Sequence, residues 1–350
     1  MILQCWLIKR VRMFITSFHY FRGIAILIIV AAHVHVGSVE IDNPVFTNLV
    51  SGSTALFVFI SGYLFQHLQK NEFNYPLYLT RKFKYVILPY IICSIPAIIN
   101  IAAKGNFHPL FGDVTVMEGS LLNILTGRHI TAYWYVPCAV LLFVSAPFIV
   151  RFSSLTNRTQ QSILCALSIL AMLAHRPIAG LNPFHSFIYY IAFYLLGVYC
   201  VVNKDLINKI KSYNILFLLL AILLAYIQGN IIGTVGSSHK DLFVFSGIDI
   251  MYIQKVLLLL FFITSINALE NFNIKPLSFL AKISFSIYFI HGYVLILLTR
   301  VSIDETLLNV GFGDTTATLV KFILVIVISS LLSMCVIKVL GKRSRYFIGS

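Results

Sequence analysis

Charge is scarce in this chain. Asp and Glu number 12 in 350 residues, and charged residues of both signs make up 11%. An average soluble domain carries about 25%. Too few charged side chains remain to cover a water-facing surface, so a soluble two-domain protein is excluded. Cysteine is sparse too. Cys5, Cys93, Cys138, Cys165, Cys200 and Cys335 lie scattered in or beside apolar runs, and no C-x-x-C or His/Cys spacing links them. Neither a disulfide framework nor a metal site is indicated. They read as small buried apolar residues. Repeats, low-complexity tracts and long hydrophilic segments are also missing. The stretch 1–12 lacks the apolar core and A-x-A site of a cleavable signal peptide. Met13 is an alternative start, because Phe14 to Phe21 leads straight into the first apolar run.

What is present is apolar. Such residues make up 59% of the chain, and the mean hydropathy is +0.90. A membrane-crossing helix needs about 20 mostly apolar residues. Ten stretches qualify, at about 22–39, 49–68, 85–103, 132–150, 160–175, 184–202, 213–229, 250–268, 283–300 and 316–340. The breaks carry loop signals such as Asp42-Asn43-Pro44, Asn71-Glu72-Phe73-Asn74 and Arg176-Pro177. The expected fold is an all-α integral membrane protein with ten transmembrane helices and both termini cytoplasmic.

The net charge of +14 fits that topology. In a soluble protein it would suggest nucleic acid, and no such partner is expected here. Cytoplasmic loops of membrane proteins are enriched in Lys and Arg. Ten spans place 19 of the 26 cations on the terminal side, from Lys9, Arg10 and Arg12 through Lys70 to Arg343 and Arg345. Lys104, Arg128, Arg176, Lys240, Lys255, Arg300 and Lys321 fall on the other side, with nine of the 12 acids. Lys255 and Lys321, near outer span ends, are expected to snorkel to the headgroups.

Ionisable groups inside spans are costly, so each is a candidate for function. Arg22 and His33 are eleven residues apart in the first span. That spacing lies within ~20° of three full turns, which puts both on one helix face about 16 Å apart. Packing between helices would account for His33 equally well. Ser61-Gly62 in the second span permits close backbone approach, with packing as the default. Arg81, Lys82 and Lys84 crowd a helix entrance before Pro89. They either set topology or bind phosphates. Ser284, Tyr288 and His291 follow i, i+4, i+7, one polar stripe on an apolar helix. That stripe either lines a pocket or bonds across helices. Trp134, between Tyr133 and Tyr135, could stack on a ligand; an interfacial belt is the plainer reading.

In this order the segments resemble the acyltransferase 3 family of multispanning membrane acyltransferases. The matching pieces are Arg22-Gly23-x-Ala25 with His33, Phe59-Ile60-Ser61-Gly62-Tyr63-Leu64, the basic run before Pro89-Tyr90, Tyr133-Trp134-Tyr135, and Ser284-x-Ser286-Ile287-Tyr288-x-x-His291. The resemblance covers nearly the whole chain. It implies one transmembrane acyltransferase domain over 1–350, of the type without an SGNH domain. It implies a multi-pass protein of the bacterial plasma (inner) membrane, bathed in membrane lipids. The implied activity is transfer of an acyl group, usually acetyl, to a hydroxyl of a cell-surface sugar such as O-antigen, capsule, exopolysaccharide or a glycolipid. Acetyl-CoA or another acyl-CoA is then a co-substrate rather than a bound cofactor. The glycan acceptor could be lipid-linked, and a homo-oligomer is left open.

The resemblance also distributes roles. His33 becomes general base or transient acyl carrier. Arg22, Arg81, Lys82 and Lys84 would hold the acyl-CoA. Ser61, Trp134, Ser284, Tyr288 and His291 would line or orient the pocket. Where relatives carry arginines, this chain has Lys82, Lys84 and Tyr85, which leaves Arg81 as the only arginine of the run. No carboxylate in the spans is an obvious orienter for His33. The length and the Tyr78-to-Tyr90 segment also resemble the membrane protein of poly-N-acetylglucosamine loci, described as an exporter or an O-succinyl transferase. An exporter or flippase of a polysaccharide or lipid-linked sugar is therefore the competing class. A scaffold subunit would not need Arg22 and His33 on one face.

Overall fold

The structure is a computed structural model describing residues 2–68, 73–266 and 272–350, with side chains from residue 17 on apart from residue 40. The Met13 start, Cys5, Lys9, Arg10, Arg12, Lys70, Asn71, Glu72 and Glu270 therefore lie outside the described positions or side chains. The described chain is almost wholly helical. Its main helices are α1 (Ile2–Ala31), α2 (Pro44–Val50), α3 (Thr54–Leu68), α4 (Tyr75–Lys82), α5 (Leu88–Lys104), α6 (Val116–Thr126), α7 (Tyr135–Val144), α8 (Ala146–Ser153), α9 (Asn157–Ala174), α10 (Pro183–Val202), α11 (Asn214–Tyr226), α12 (Ile250–Ser265), α13 (Lys275–Arg300) and α14 (Asp314–Leu340). Two short parallel strands, β1 (Arg176–Pro177) and β2 (His239–Lys240), pair in the loops.

Among the described residues six helical segments are long and apolar enough to cross a membrane, and the bent pair α7–α8, taken as one span, makes a seventh. The bend is 60°. It falls where Pro147 removes a backbone donor and Ser145 Oγ donates to Leu141 O at 2.7 Å. Burial separates inner from outer helices. Of the most apolar window in 183–202, 78% is buried, against 17% in 75–104, 11% in 204–231 and 22% in 314–347. The outer helices thus present leucine, isoleucine and valine outward along their length. A surface of that kind suits lipid, not water, and the chain is a multi-pass membrane protein.

α10 is the hub. It packs on α3, α9 and α7, while α13 packs on α1 and α14, and α1 against α3 joins the two groups. Glycine makes the tightest seam. A Cβ on Gly62 would stand 2.0 Å from Tyr194 O, and one on Gly197 would stand 2.2 Å from Phe59 O. The α3 and α10 backbones touch there, as small residues allow in membranes.

Several expectations need correction. The first span was expected over 22–39, but α1 ends at Ala31 and His33 lies in the turn beyond, its N–H bonded to Val30 O at 3.0 Å. The reason is the next segment. Gly37 takes φ +59 against the Asp314 carboxylate, which accepts from Ser38 N at 2.7 Å, and Val36 N donates to Thr318 Oγ1 at 3.0 Å. Among the cysteines, Cys138 and Cys200 are buried, whereas Cys165 and Cys335 are exposed on outer helices. Lys321 does not snorkel. It pairs with Asp304 at 2.8 Å.

Lys255 does not snorkel either. It is 1% exposed, and its Nζ donates to Asn48 O at 2.9 Å and Leu49 O at 2.8 Å. These are last-turn carbonyls of α2, which lack helical partners, so the ammonium caps that helix end. Substituting Lys255→Met would leave both carbonyls bare. We expect a loss of about 1–3 kcal/mol, read as a lower midpoint for thermal unfolding in detergent. An unchanged midpoint would mean that water replaces the ammonium.

Candidate active site

Two polar groups, Arg22 within α1 and His33 in the turn after it, face α13. Arg22 Nη2 donates to Ser284 Oγ at 3.1 Å. The His33 ring stacks on His291, with centroids 5.8 Å apart and planes 28° apart. Ser284 and His291 are seven residues apart, about 10 Å along the axis. α1 and α13 therefore run parallel, with their polar residues in step.

Tyr288 sits between them. Its hydroxyl donates to Ala132 O at 2.6 Å, while Tyr133 Oη donates to Phe289 O at 2.8 Å. This reciprocal pair locks the entry to α7 onto α13. Tyr288, His33, Thr54 and Tyr135 help enclose a cavity of about 10 Å³, room for roughly one water. Anything larger than a water needs these side chains to part.

His291 is fully buried. Its Nδ1 lies 2.9 Å from Ile287 O. A carbonyl can only accept, so this network assigns the hydrogen to Nδ1 and leaves Nε2 a lone pair. That Nε2 is buried with no partner. Among the described residues no carboxylate pairs with His33; the group packed on it is a second imidazole.

On the other side of His33 a cleft of about 90 Å³ is lined by His33, Ser51, Ser53, Trp134, Arg176 and Ser237, among others. Trp134 is largely buried, with Arg176 over its ring at 5.1 Å and Tyr190 at 5.5 Å. It is thus not part of an exposed interfacial belt, and it lines both cavities. Ser61 does not line either cavity. It lies against the Tyr135 hydroxyl, beside the Gly62 seam.

The basic run splits. Pro89 has no N–H for the Tyr85 carbonyl, and the chain makes a π turn over Phe83–Ile87, with Leu88 N bonded to Phe83 O. Lys82 folds over the Phe143 ring at 4.7 Å and Tyr78 at 5.3 Å. Arg81 and Lys84 stay exposed. Arg22 is partly buried on α13, so the four residues expected to share one ligand rest on different neighbours.

Sequence reasoning missed two cations. Arg345 lies over the Tyr85 ring at 4.6 Å, with Tyr346 stacked on Tyr85 at 5.6 Å. It thus brings a guanidinium to the basic run where the run itself has tyrosine. Arg176 had been sorted only as a loop cation. The available signal was an arginine among few outer cations, set between His175 and Pro177.

An acyltransferase domain family model, acyltransferase 3, matches residues 15–337. No curated protein and no solved structure matches the chain. The match covers the helices that carry Arg22, His33, the basic run and the α13 stripe. The chain therefore belongs to the acyltransferase 3 family.

Proposed function

We propose that this protein is an O-acetyltransferase that moves acetyl from cytoplasmic acetyl-CoA to a hydroxyl of a cell-surface sugar. The observation that carries the reading is His33 stacked on His291, between the Arg22 end and a cleft at the opposite end. Ten spans with cytoplasmic termini, in a bacterial inner membrane, put the Arg22 end inside.

Acetyl-CoA docks its phosphates on Arg81, Lys84 and Arg345. A thioester is already activated; the hydroxyl needs a base. Histidine, with an ordinary pKa near 6.5, suits that work at neutral pH. His33 takes the hydroxyl proton as the oxygen attacks the thioester carbonyl. The C–S bond breaks, and the CoA thiolate leaves and is reprotonated. Alternatively, His33 Nε2 or Nδ1 attacks first and carries the acetyl as an acyl-imidazole until the sugar takes it. His291, stacked on His33 with Nδ1 committed to Ile287 O, would serve through Nε2 as a second proton acceptor.

The test is direct. Purified protein receives labelled acetyl-CoA and a panel of surface glycans. Label in a glycan, removable by mild base as an ester, supports the reading. Absence of acyl-CoA binding, with glycan export stopped in a deletion strain, would favour the exporter class instead. The docking residues have their own signature. Arg81→Ala and Arg345→Ala should each raise KM for acetyl-CoA about 5- to 20-fold, the loss expected for one exposed phosphate contact of ~1–2 kcal/mol. KM for the acceptor should not change. Equal shifts in both constants would place those arginines elsewhere.

A further inference from the structure

We propose that the cleft beyond His33 is an acceptor subsite for an anionic sugar, one bearing a carboxylate or phosphate, with Arg176 as its recognition residue. The proposal rests on the acyltransferase reading only for the word acceptor; the anion site itself stands on geometry.

Arg176 is held from several directions. Its N–H bonds Ser238 O at 3.3 Å in the β1–β2 pair. His175, at φ +56, bonds Ser238 Oγ at 2.8 Å and Gly247 O at 3.1 Å, and His239 Nδ1 meets Pro177 O at 2.8 Å. Gly180, at φ +69, lets the following turn close on Trp134, where an added Cβ would stand 3.2 Å from the ring system. The guanidinium lies over Trp134, which fixes its plane.

Its donors are only partly used. Nη1 donates to Ser237 Oγ. Nε is buried and has no partner. An unpaired buried donor is costly in a folded chain. With Nη1 taken, the Nε–Nη2 edge is the one left, and that edge binds a carboxylate or phosphate side-on through two parallel hydrogen bonds. Among the described residues no carboxylate fills this place. Asp249, the acid at the start of α12, accepts from Tyr189 Oη at 2.8 Å and Met251 N at 3.0 Å, and among the described residues Arg176 has no ion-pair partner.

The surroundings suit a sugar. The cleft wall carries the hydroxyls of Ser51, Ser53 and Ser237, and His33 forms part of the same wall. Lys255 caps α2 directly before Ser51 and so holds that part of the wall in place. The cleft is built from loops and helix ends, so its ligand enters from the end opposite Arg22. An anion held on Arg176 would place a neighbouring hydroxyl of the same sugar toward His33.

Binding measured without any acyl donor tests this apart from catalysis. Calorimetric titrations of the detergent-purified full chain would use methyl glucuronide, glucose 1-phosphate and methyl glucoside. We expect at least one anion to bind about 10- to 100-fold tighter than the neutral glucoside, the range for a charge-assisted pair. The first two probes tell carboxylate from phosphate. Arg176→Gln should remove that preference, and Arg176→Lys should restore part of it. An unaltered elution profile and thermal midpoint would show that each variant is folded; should Arg176→Gln fail this check, a preference weakened but not lost in Arg176→Lys decides. Equal binding of all three probes, no binding of any at millimolar concentration, or a preference that survives in the variants would overturn the proposal. None of these results would bear on His33, which the transfer assay tests separately.

Discussion

Replacing His33 with alanine is expected to lower acetyl transfer about 100- to 10,000-fold, the usual contribution of a general base. The side chain occupies the junction of the two cavities, the enclosed one toward α13 and the cleft toward Arg176. Nothing else with a titratable nitrogen lines both. His291 is nearby, but its Nδ1 is committed to Ile287 O and its ring is fully enclosed. It can support the base and cannot reach the cleft in its place. The loss should appear in kcat, with KM for acetyl-CoA close to the parent value, because the docking arginines lie on other elements. The two chemical routes also part here. An acyl-histidine would leave hydroxylamine-sensitive label on the wild-type chain in the absence of acceptor. Direct base catalysis would leave none.

The second large effect is on folding. Gly62→Ala should sharply reduce the yield of folded protein. The added Cβ would stand 2.0 Å from Tyr194 O and 2.8 Å from Tyr194 C. Both are backbone atoms of α10, so no flexible side chain can yield. The helices would have to separate along the main seam of the bundle. Overpacking of ordinary cores costs about 1–3 kcal/mol, and a backbone clash should reach or exceed the upper end. Gly313→Ala is the matched control. Its Cβ would meet nothing within 4 Å, and Gly313 has φ −70. Size-exclusion profiles of the two fluorescently tagged variants should differ plainly. Similar profiles would mean that the α3–α10 seam is softer than its geometry.

The comparison between sequence and structure has a physical pattern. Features carried by helical period were legible. Ser284, Tyr288 and His291 could be placed on one face because they repeat with the turn of one helix; Arg22 and His33 were expected on one face too, although α1 ends at Ala31 and only the turn beyond it brings His33 to α13. The structure then puts the two sets against each other. Features created by the meeting of distant segments were not legible. Lys255 read as a headgroup anchor because nothing local reveals the α2 carbonyls it caps. Arg345 read as a topology signal because its contact with Tyr85 joins positions at opposite ends of the chain. Arg176 needed the β1–β2 pair, Trp134 and Ser237 before it became part of a site. Span ends failed for a similar reason. The run through His33 is apolar enough to continue as helix, but Asp314 and Thr318 on α14 hold residues 36–38 in another conformation.

The same contacts explain how one short turn can serve two compartments. His33 lies beyond the last turn of α1, between a helix face that leads toward Arg22 and loops that lead the other way. The packing around it is closed to about one water's volume on the α13 side. On the proposed function, donor binding would open that side, and the opening would be a gate between donor and acceptor.

The most direct test of cross-membrane transfer at His33 uses inverted membrane vesicles with acceptor glycan sealed inside and labelled acetyl-CoA added outside. The account predicts label on the enclosed glycan with the wild-type chain, and none above background with His33→Ala at equal protein level. Label that reaches the glycan only after the vesicles are opened, or that appears equally with His33→Ala, would contradict it.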